Sequence, residues 1–291
     1  MKRWLILDVH FLCHRAFHTM GRLEFEGERT GVTFGFLKSI SFLKDELVSD
    51  RVVFCFESAR LKRRDLMADY KRRRHTRVET ESETLARLDL KLQIKLLRTK
   101  WLPMIGFKNL LCVPGYESDD LMASIAKHAR PDEDVILVTS DSDMLQCLRP
   151  NVSMYDPTKR KLITDEKFKT AHGYAPDQWA LVKAMAGCST DGVPGIGGIG
   201  IATAEKIIKN ELSLKSAAWR KYASIEGRKA IRKNLALVGL PFMDCPNMRE
   251  QLVHDEIDER QWSRVCAQLG FRSIAHTPPI ATRKMRQQEL L

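Results

Sequence analysis

The chain has no apolar run approaching the ~20 residues that span a bilayer, which argues against a membrane-spanning helix. Its apolar start, Trp4 to Leu7 behind Met1-Lys2-Arg3, is cut short by Asp8 and His10, so it reads as a strand and not as a secretion signal. The seven cysteines, at 13, 55, 112, 147, 188, 245 and 266, are odd in number and include no Cys-x-x-Cys pair. That argues against a disulfide framework or a cysteine zinc site, and fits buried thiols in a reducing compartment. The eight histidines show no spacing typical of metal ligands, and no internal repeat is present. Hydrophobic content of 44% and charged content of 29% are ordinary for a globular protein. At 291 residues the chain can form one large domain or two smaller ones.

What is present is a set of acids at the ends of apolar segments. Asp8 closes Trp4-Leu5-Ile6-Leu7. Tyr116-Glu117-Ser118-Asp119-Asp120 follows Leu110 to Val113. Asp141 and Asp143 follow Val135 to Val138, and Asp191 lies in Gly187-Cys188-Ser189-Thr190-Asp191-Gly192. Short apolar runs read as buried strands. In an open parallel sheet, ligands bind outside the carboxyl ends of the strands. Carboxylates gathered there repel one another unless cations share them, and hard oxygen donors suit Mg²⁺ or Mn²⁺. Each acid taken singly is equally a loop residue or a helix cap. Glu57, at the end of Val52 to Phe56, joins the set on the same terms.

The overall charge has the opposite sign, +11. Between Ala59 and Arg77 stand nine Lys and Arg residues against Asp65 and Asp69. Such a stretch is a solvated helix face, a basic arm, or a partner for a polyanion. Beside an acidic metal centre, the polyanion reading gains: metals address one phosphate and basic side chains its neighbours. Membrane attraction is weaker, because the two acids interrupt the run and nothing adjoining it could anchor.

Strand-type runs at 4–7, 52–56, 110–113, 135–138 and 152–155 alternate with helical patterns, which predicts an α/β fold with a central, mostly parallel sheet flanked by helices. The spacing predicts a helix over 34–47. Thr80-Glu81-Ser82-Glu83 reads as a capping box opening a long helix with Leu85, Leu88, Leu92 and Leu96 on one face, ended by Pro103. Further helices are expected at 119–128 and 144–148. After about residue 175 the pattern becomes helical, with a glycine turn between Pro176–Met185 and Thr203–Lys209. The Asp165-Glu166 pair and the 255–259 acids read as exposed helix acids.

Gly195-Ile196-Gly197-Gly198-Ile199-Gly200 is that turn. Glycines allow positive φ and close backbone approach, and the amides that open the next helix can meet a phosphate. No strand precedes it, so it is not a dinucleotide fingerprint. A plain helix–turn–helix connection is the alternative, and Lys206 and Lys209 favour nucleic acid.

Taken together these motifs resemble the 5′-nuclease or flap endonuclease family, which includes the nuclease domain of bacterial DNA polymerase I and phage 5′-exonucleases. The resemblance runs through roughly residues 4 to 210. It rests on Leu7-Asp8 with Arg15 to His18, Thr30-Gly31-Val32 with Phe34 to Leu37, and Phe56-Glu57. Arg63, Tyr70, Lys71 and Arg74 have the spacing of the family's arch. Tyr116 to Asp120 and Thr139-Ser140-Asp141-Ser142-Asp143 match its metal motifs. Pro176 to Trp179 and Val193 to Gly197 match its helix–three-turn–helix module. The fold implied is a PIN-like nuclease core over 1–175, with a basic arch at about 59–80, a helical DNA-binding region over 176–270, and a tail from 271 to 291.

The resemblance implies that Glu57, Glu117, Asp119 and Asp141 hold a first metal with Asp8 close by. Asp120, Asp143 and Asp191 would serve a second. It implies Lys71 and Arg74 on the scissile phosphate and Tyr70 stacked on an unpaired base. Arg63, Arg64, Arg72, Arg73, Gly195, Gly197, Gly198, Gly200 and Lys206 would contact DNA. Two Mg²⁺ or Mn²⁺ ions are expected, with K⁺ at the glycine turn. The expected partner is branched or nicked DNA with a 5′ single-stranded end, or an RNA primer, met by a monomer in the cytoplasm, either nucleoid-associated or phage-encoded. No membrane is involved, and the absence of a polymerase region reads as a free-standing protein. Two departures stand out: Cys188 where the family has a carboxylate, and Ile201-Ala202 where it has a lysine-bearing segment. The rival readings are a structure-specific DNA-binding protein without catalysis, and a ribonuclease of the same acidic α/β class.

Overall fold

The computed structural model describes residues 2–49, 51–71 and 79–279. Strand β1 (Lys2–Asp8) is buried continuously from Trp4 to Asp8, as a central parallel strand covered on both faces must be. Its last residue caps the next helix, α1 (Val9–Met20): Asp8 Oδ1 accepts from the Phe11 amide at 3.1 Å. A hairpin of β2 (Glu24–Phe25) and β3 (Glu28–Arg29) leads into α2 (Gly31–Glu46). Gly35 lets α2 close on α1, because a Cβ there would stand 2.7 Å from the Ala16 Cβ.

Strand β4 (Arg51–Cys55) lies parallel to β1, with Leu7 opposite Phe54. After the short α3 (Arg63–Leu66), helix α4 (Glu81–Leu96) opens with the expected capping box. Thr80 Oγ1 accepts from the Glu83 amide, and the Glu83 carboxylate accepts from the Thr80 amide. Two expectations fail here. The leucine stripe faces solvent: Leu85, Leu88 and Leu92 are 57%, 51% and 50% exposed, while Leu90, Gln93 and Ile94 turn inward. The inward face is fixed by Gln93, whose Oε1 accepts from the Thr33 amide and hydroxyl. Nor does Pro103 end the helix. A wide π turn at Leu97–Trp101 hands over to α5 (Leu102–Ile105), where Pro103 sits in the first turn and needs no donor, and Gly106 at φ 104° ends it.

The core continues with β5 (Leu110–Leu111), α6 (Ser118–Lys127), β6 (Glu133–Val138), β7 (Val152–Asp156) and β8 (Lys161–Ile163). The six-stranded sheet has the order β5-β4-β1-β6-β7-β8, parallel except for the β7–β8 pair. This bears out the expected α/β class, although β8 carried no signal in the sequence reading. From β1 the chain builds first toward β4, later toward β6, so the switch point falls at β1. Alternation along the strands divides the core. Trp4, Ile6, Val53 and Cys55 pack on one face, and Leu5, Leu7, Val52 and Phe54 on the other.

The helical remainder comprises α7 (Asp165–His172), α8 (Trp179–Ala186), a small β9 (Gly187–Cys188) and β10 (Val193–Pro194) hairpin, α9 (Ile201–Ile208), α10 (Ala217–Ala223), α11 (Ile225–Val238) and α12 (Glu259–Gln268). Asp165 is buried at the start of α7 and paired with Lys169 at 2.8 Å, not an exposed acid as expected. The chain then returns to the sheet. Trp262, Val265, Phe271 and Ile274 join the core face formed by α1 and α2, and the Phe34 and Phe271 rings meet edge-on at 5.1 Å. Residues 271–279 are therefore packed, not a tail, and 280–291 lie outside the described residues. Among the described residues no helix is long and apolar enough to cross a membrane.

Candidate active site

The parallel register brings the ends of β1, β4 and β6 to one edge, and α6 points its amino end at the same place. A cleft of about 460 Å³ opens there, lined by Asp8, Glu57, Lys71, Glu117, Asp119 and Asp141 among others. Asp8 is held by two hydroxyls besides its cap: Ser118 donates at 3.4 Å and Thr139 at 3.2 Å. Burial, with Asp141 and Glu57 adding repulsion, pushes its pKa up to about 6. Asp119 is lifted well above the usual carboxylate range by burial, then by Asp8 and Asp141. Its Oδ1 is buried and has no hydrogen-bond partner among the described residues. Asp141 caps the short turn 142–147, and its Oδ1 accepts from the Asp143 amide at 2.8 Å.

Two carboxyls raised by burial and by their acidic neighbours, one with an oxygen that has no hydrogen-bond partner among the described residues, make a donor set suited to a cation. The five carboxylates lining the cleft fit a hard divalent ion; His10 and His14 line it too, but among the described residues no thiol does.

Lys71 enters this cleft in a left-handed conformation, at φ 57°. Its ammonium pairs with Glu117 Oε1 and is 13% exposed. Burial opposes its charge, but Glu117, Asp191 and Asp119 outweigh burial and its pKa rises. Glu117 is in turn fixed by the Tyr70 hydroxyl, which donates to Oε2 at 3.1 Å.

The remaining acids form a second group. Asp143, Cys188 and Asp191 offer donor atoms that lie within 4.8 Å of one another. Lys183 of α8 pairs with Asp143 at 2.7 Å. Burial pushes the Asp143 carboxyl up, with Asp141 adding to it and Lys183 opposing. Burial also pushes the Cys188 thiol up, and its sulfur lies 3.1 Å from the Thr190 hydroxyl.

Three expectations are corrected. Arg63 was expected to face DNA, but it is 3% exposed. Its guanidinium forks onto Asp120 at 2.6 and 2.8 Å and reaches Glu117 at 2.9 Å. Asp120 was expected near a metal, but it is fully buried. Besides Arg63, its oxygens take the Glu117 amide at 3.0 Å and the Phe242 amide at 2.8 Å, which leaves no open direction for an ion. Tyr70 was expected to stack on a base, but it is 4% exposed with its ring under the Arg63 and Lys71 cations. Arg64 is exposed, and Arg72, Arg73 and Arg74 lie outside the described residues.

The glycine turn divides by position. A Cβ on Gly195 would meet the Ala186 carbonyl oxygen at 2.1 Å, and Gly198 sits at φ 85°. Gly197 and Gly200 face open space. Gly200 caps α9 without a side chain, so no cap side chain covers the Ile201 and Ala202 amides, and Lys206 further along the helix is exposed. The Gly197 carbonyl accepts from Lys221 at 2.7 Å, so an ammonium already lies against the turn where K⁺ was expected.

Sequence reading missed His10 and Lys183, and took Thr139 only as part of the Thr139–Asp143 motif. His10 lines the cleft, and its Nδ1 accepts from the Glu57 amide at 3.2 Å. Burial, then His14 and Arg98, pulls its pKa down to about 4. Its place two residues after Asp8 was the only signal.

Residues 3–173 match the family model described as 5'-3' exonuclease, N-terminal resolvase-like domain. The chain belongs to this 5′-3′ exonuclease family. It is 33% identical over 218 residues to the thermostable DNA polymerase I of Thermus aquaticus, a match covering 74% of this chain and 24% of the polymerase. It is 31% identical over 227 residues to the 5'-3' exonuclease of Aquifex aeolicus (strain VF5), covering 76% of this chain and 75% of that one. The chain thus spans about a quarter of the length of the polymerases it matches. The fold matches that of the T5 D15 protein co-crystallized with metal ions, with a TM-score of 0.68 at 21% identity over 82% of this chain and 90% of that one. It also matches the catalytic core of Rad2 in complex with DNA substrate, with a TM-score of 0.55 at 13% identity over 92% and 86%.

Proposed function

We propose that this chain is a divalent-metal-dependent, structure-specific 5′ nuclease that acts as flap endonuclease and 5′-3′ exonuclease on DNA. The observation that carries the reading is the cleft itself: Asp8, Glu57, Glu117, Asp119 and Asp141 converge, with an Asp119 oxygen that meets no donor among the described residues. These five would hold a Mg²⁺ or Mn²⁺ ion, which when bound supplies an activated water and neutralises charge on phosphate. Asp143, Cys188 and Asp191 are the set left for a second ion.

The chain's own part is positioning. Ser118 and Thr139 aim Asp8, and Tyr70 and Arg63 fix Glu117. Lys71 stands at the cleft with its charge kept by Glu117, placed to pass from that carboxylate to the scissile phosphate as charge builds there. The Ile201 and Ala202 amides at the start of α9, with Lys206, fit a duplex backbone away from the cut. Lys221 supplies the charge that a potassium ion would bring to that turn.

The partner is DNA with a 5′ single-stranded end. That choice is supported by the DNA in the complexes of the T5 D15 flap endonuclease and the Rad2 catalytic core, which share this fold. A 5′-labelled flap and its blunt duplex, each with Mg²⁺ and with chelator, test the reading. Release of short labelled products from the flap only with the ion is expected. Equal cleavage in chelator would overturn it.

A further inference from the structure

The second group of acids carries its own cation. Asp143, Cys188 and Asp191 converge within 4.8 Å, but Cys188 brings no carboxylate charge to the set. Lys183 Nζ lies 2.7 Å from Asp143 Oδ1, in a pair whose side chains are only 13% and 15% exposed. The lysine and the group belong to one stiff unit. Helix α8 ends at Ala186, and the hairpin that carries Cys188 begins at once. Gly187 closes the turn at φ 79°, where a Cβ would stand 2.3 Å from the Gly195 amide nitrogen. Asn234 of α11 ties the same unit together, donating to the Ala184 and Pro194 carbonyls. The backbone of Lys183 is therefore held beside Asp143, and a dication entering there must displace its ammonium or meet that positive charge at short range.

We infer that Lys183 is the resident cation of the second position, so that this chain binds one hard divalent ion tightly in the Asp8–Asp119–Asp141 cleft and no second ion of comparable affinity. The inference rests on the first-ion reading above. It makes Lys183 a positioning residue: it holds Asp143, whose amide orients Asp141 toward the first ion. It also explains how the fold tolerates a thiol at 188. The charge that a carboxylate there would add is not needed where an ammonium has replaced the ion.

The test counts Mn²⁺ on the full chain without DNA, by the electron-resonance signal of the free ion. The parent should bind one Mn²⁺ per chain, with any second ion at least about ten-fold weaker. Cys188→Asp should tighten that second ion by about ten-fold or more, as one added charge at contact range allows. Lys183→Met should act in the same direction, and the double variant should bind two ions most evenly. If Lys183→Met fails to fold, Cys188→Asp carries the test, since it leaves the lysine in place. Two ions of equal affinity on the parent would overturn the inference while the metal reading stands. So would a second ion that neither variant shifts. Asp119→Asn should abolish the parent's tight ion. A tight ion that survives Asp119→Asn but is lost with Asp191→Asn would sink the first-ion reading and the inference with it.

Discussion

Arg63 offers a clean separation between a structural and a DNA-binding role. Its guanidinium is buried, doubly bonded to Asp120, bonded to Glu117 at 2.9 Å and to the Leu237 carbonyl at 2.8 Å, with the Phe242 ring 4.8 Å away. Removing one partner of such a pair leaves an uncompensated buried carboxylate, which costs about 3–5 kcal/mol. That is a large fraction of the roughly 5–15 kcal/mol that stabilises a typical protein. For a chain of 291 residues, whose unfolding entropy is about 0.6 kcal/mol/K, the expected fall in the melting midpoint is about 5–8 °C. Arg63→Met should show it in calorimetry or circular dichroism. Adding Asp120→Asn should recover part of the loss, because the stranded charge is gone. The salt dependence of DNA binding should be unchanged, since no phosphate contact is lost. A variant that melts within about 2 °C of the parent but binds DNA more weakly and with a flatter salt slope would refute the reasoning and return Arg63 to the surface.

Three further outcomes follow from the geometry. Burial opposes the charge of Glu133, but the Arg249 pair and the Arg130 amide win and hold its pKa down to about 2, below the ordinary 4.5. A depressed carboxyl contributes stability in full above its unfolded value and loses it as pH falls toward 2. Urea melts of Glu133→Gln and parent should therefore differ most above pH 4.5 and converge below it; a gap that widens in acid would contradict this. Gly195→Ala should lower the melting temperature by several degrees, because its Cβ meets main chain at 2.1 Å, whereas Gly200→Ala should melt as the parent does. Lys71→Ala should reduce single-turnover cleavage by about 10²–10³ with a smaller loss of affinity, and a change in affinity alone would remove its catalytic role.

The sheet was legible because its strands are uninterrupted apolar runs, and β1, β4 and β6 fall where those runs stand. Strand β8 was not, since Lys161-Leu162-Ile163 is half-exposed and only three residues long. The acids were legible because each closes a run, but sequence could not separate Asp119 from Asp120. Adjacent positions on α6 point in different directions, one into the cleft and the other into the interior against Arg63. The basic stretch misled for the same reason. Spacing shows nine cations, and only packing shows that Arg63 turns inward. Leu85, Leu88 and Leu92 of α4 kept helical spacing yet face solvent, because Gln93, a polar residue, made the inward contact. Lys183 had no signal at all, since a single lysine is ordinary anywhere, and Thr139 was legible only as the first residue of the motif that carries Asp141.

The central claim is that chemistry resides in the acid cleft and needs an ion there. Single-turnover cleavage of a 5′-labelled flap by the parent and by Asp119→Ala, with DNA binding measured by anisotropy on the same samples, tests it most directly. Asp119→Ala deletes the orphaned buried oxygen and one negative charge beside phosphate. The account expects cleavage by the parent with Mg²⁺ or Mn²⁺ and none in chelator. For Asp119→Ala it expects a rate lower by about 10²-fold or more, with binding kept or tightened. Undiminished cleavage by Asp119→Ala, or cleavage by the parent in chelator, would contradict it.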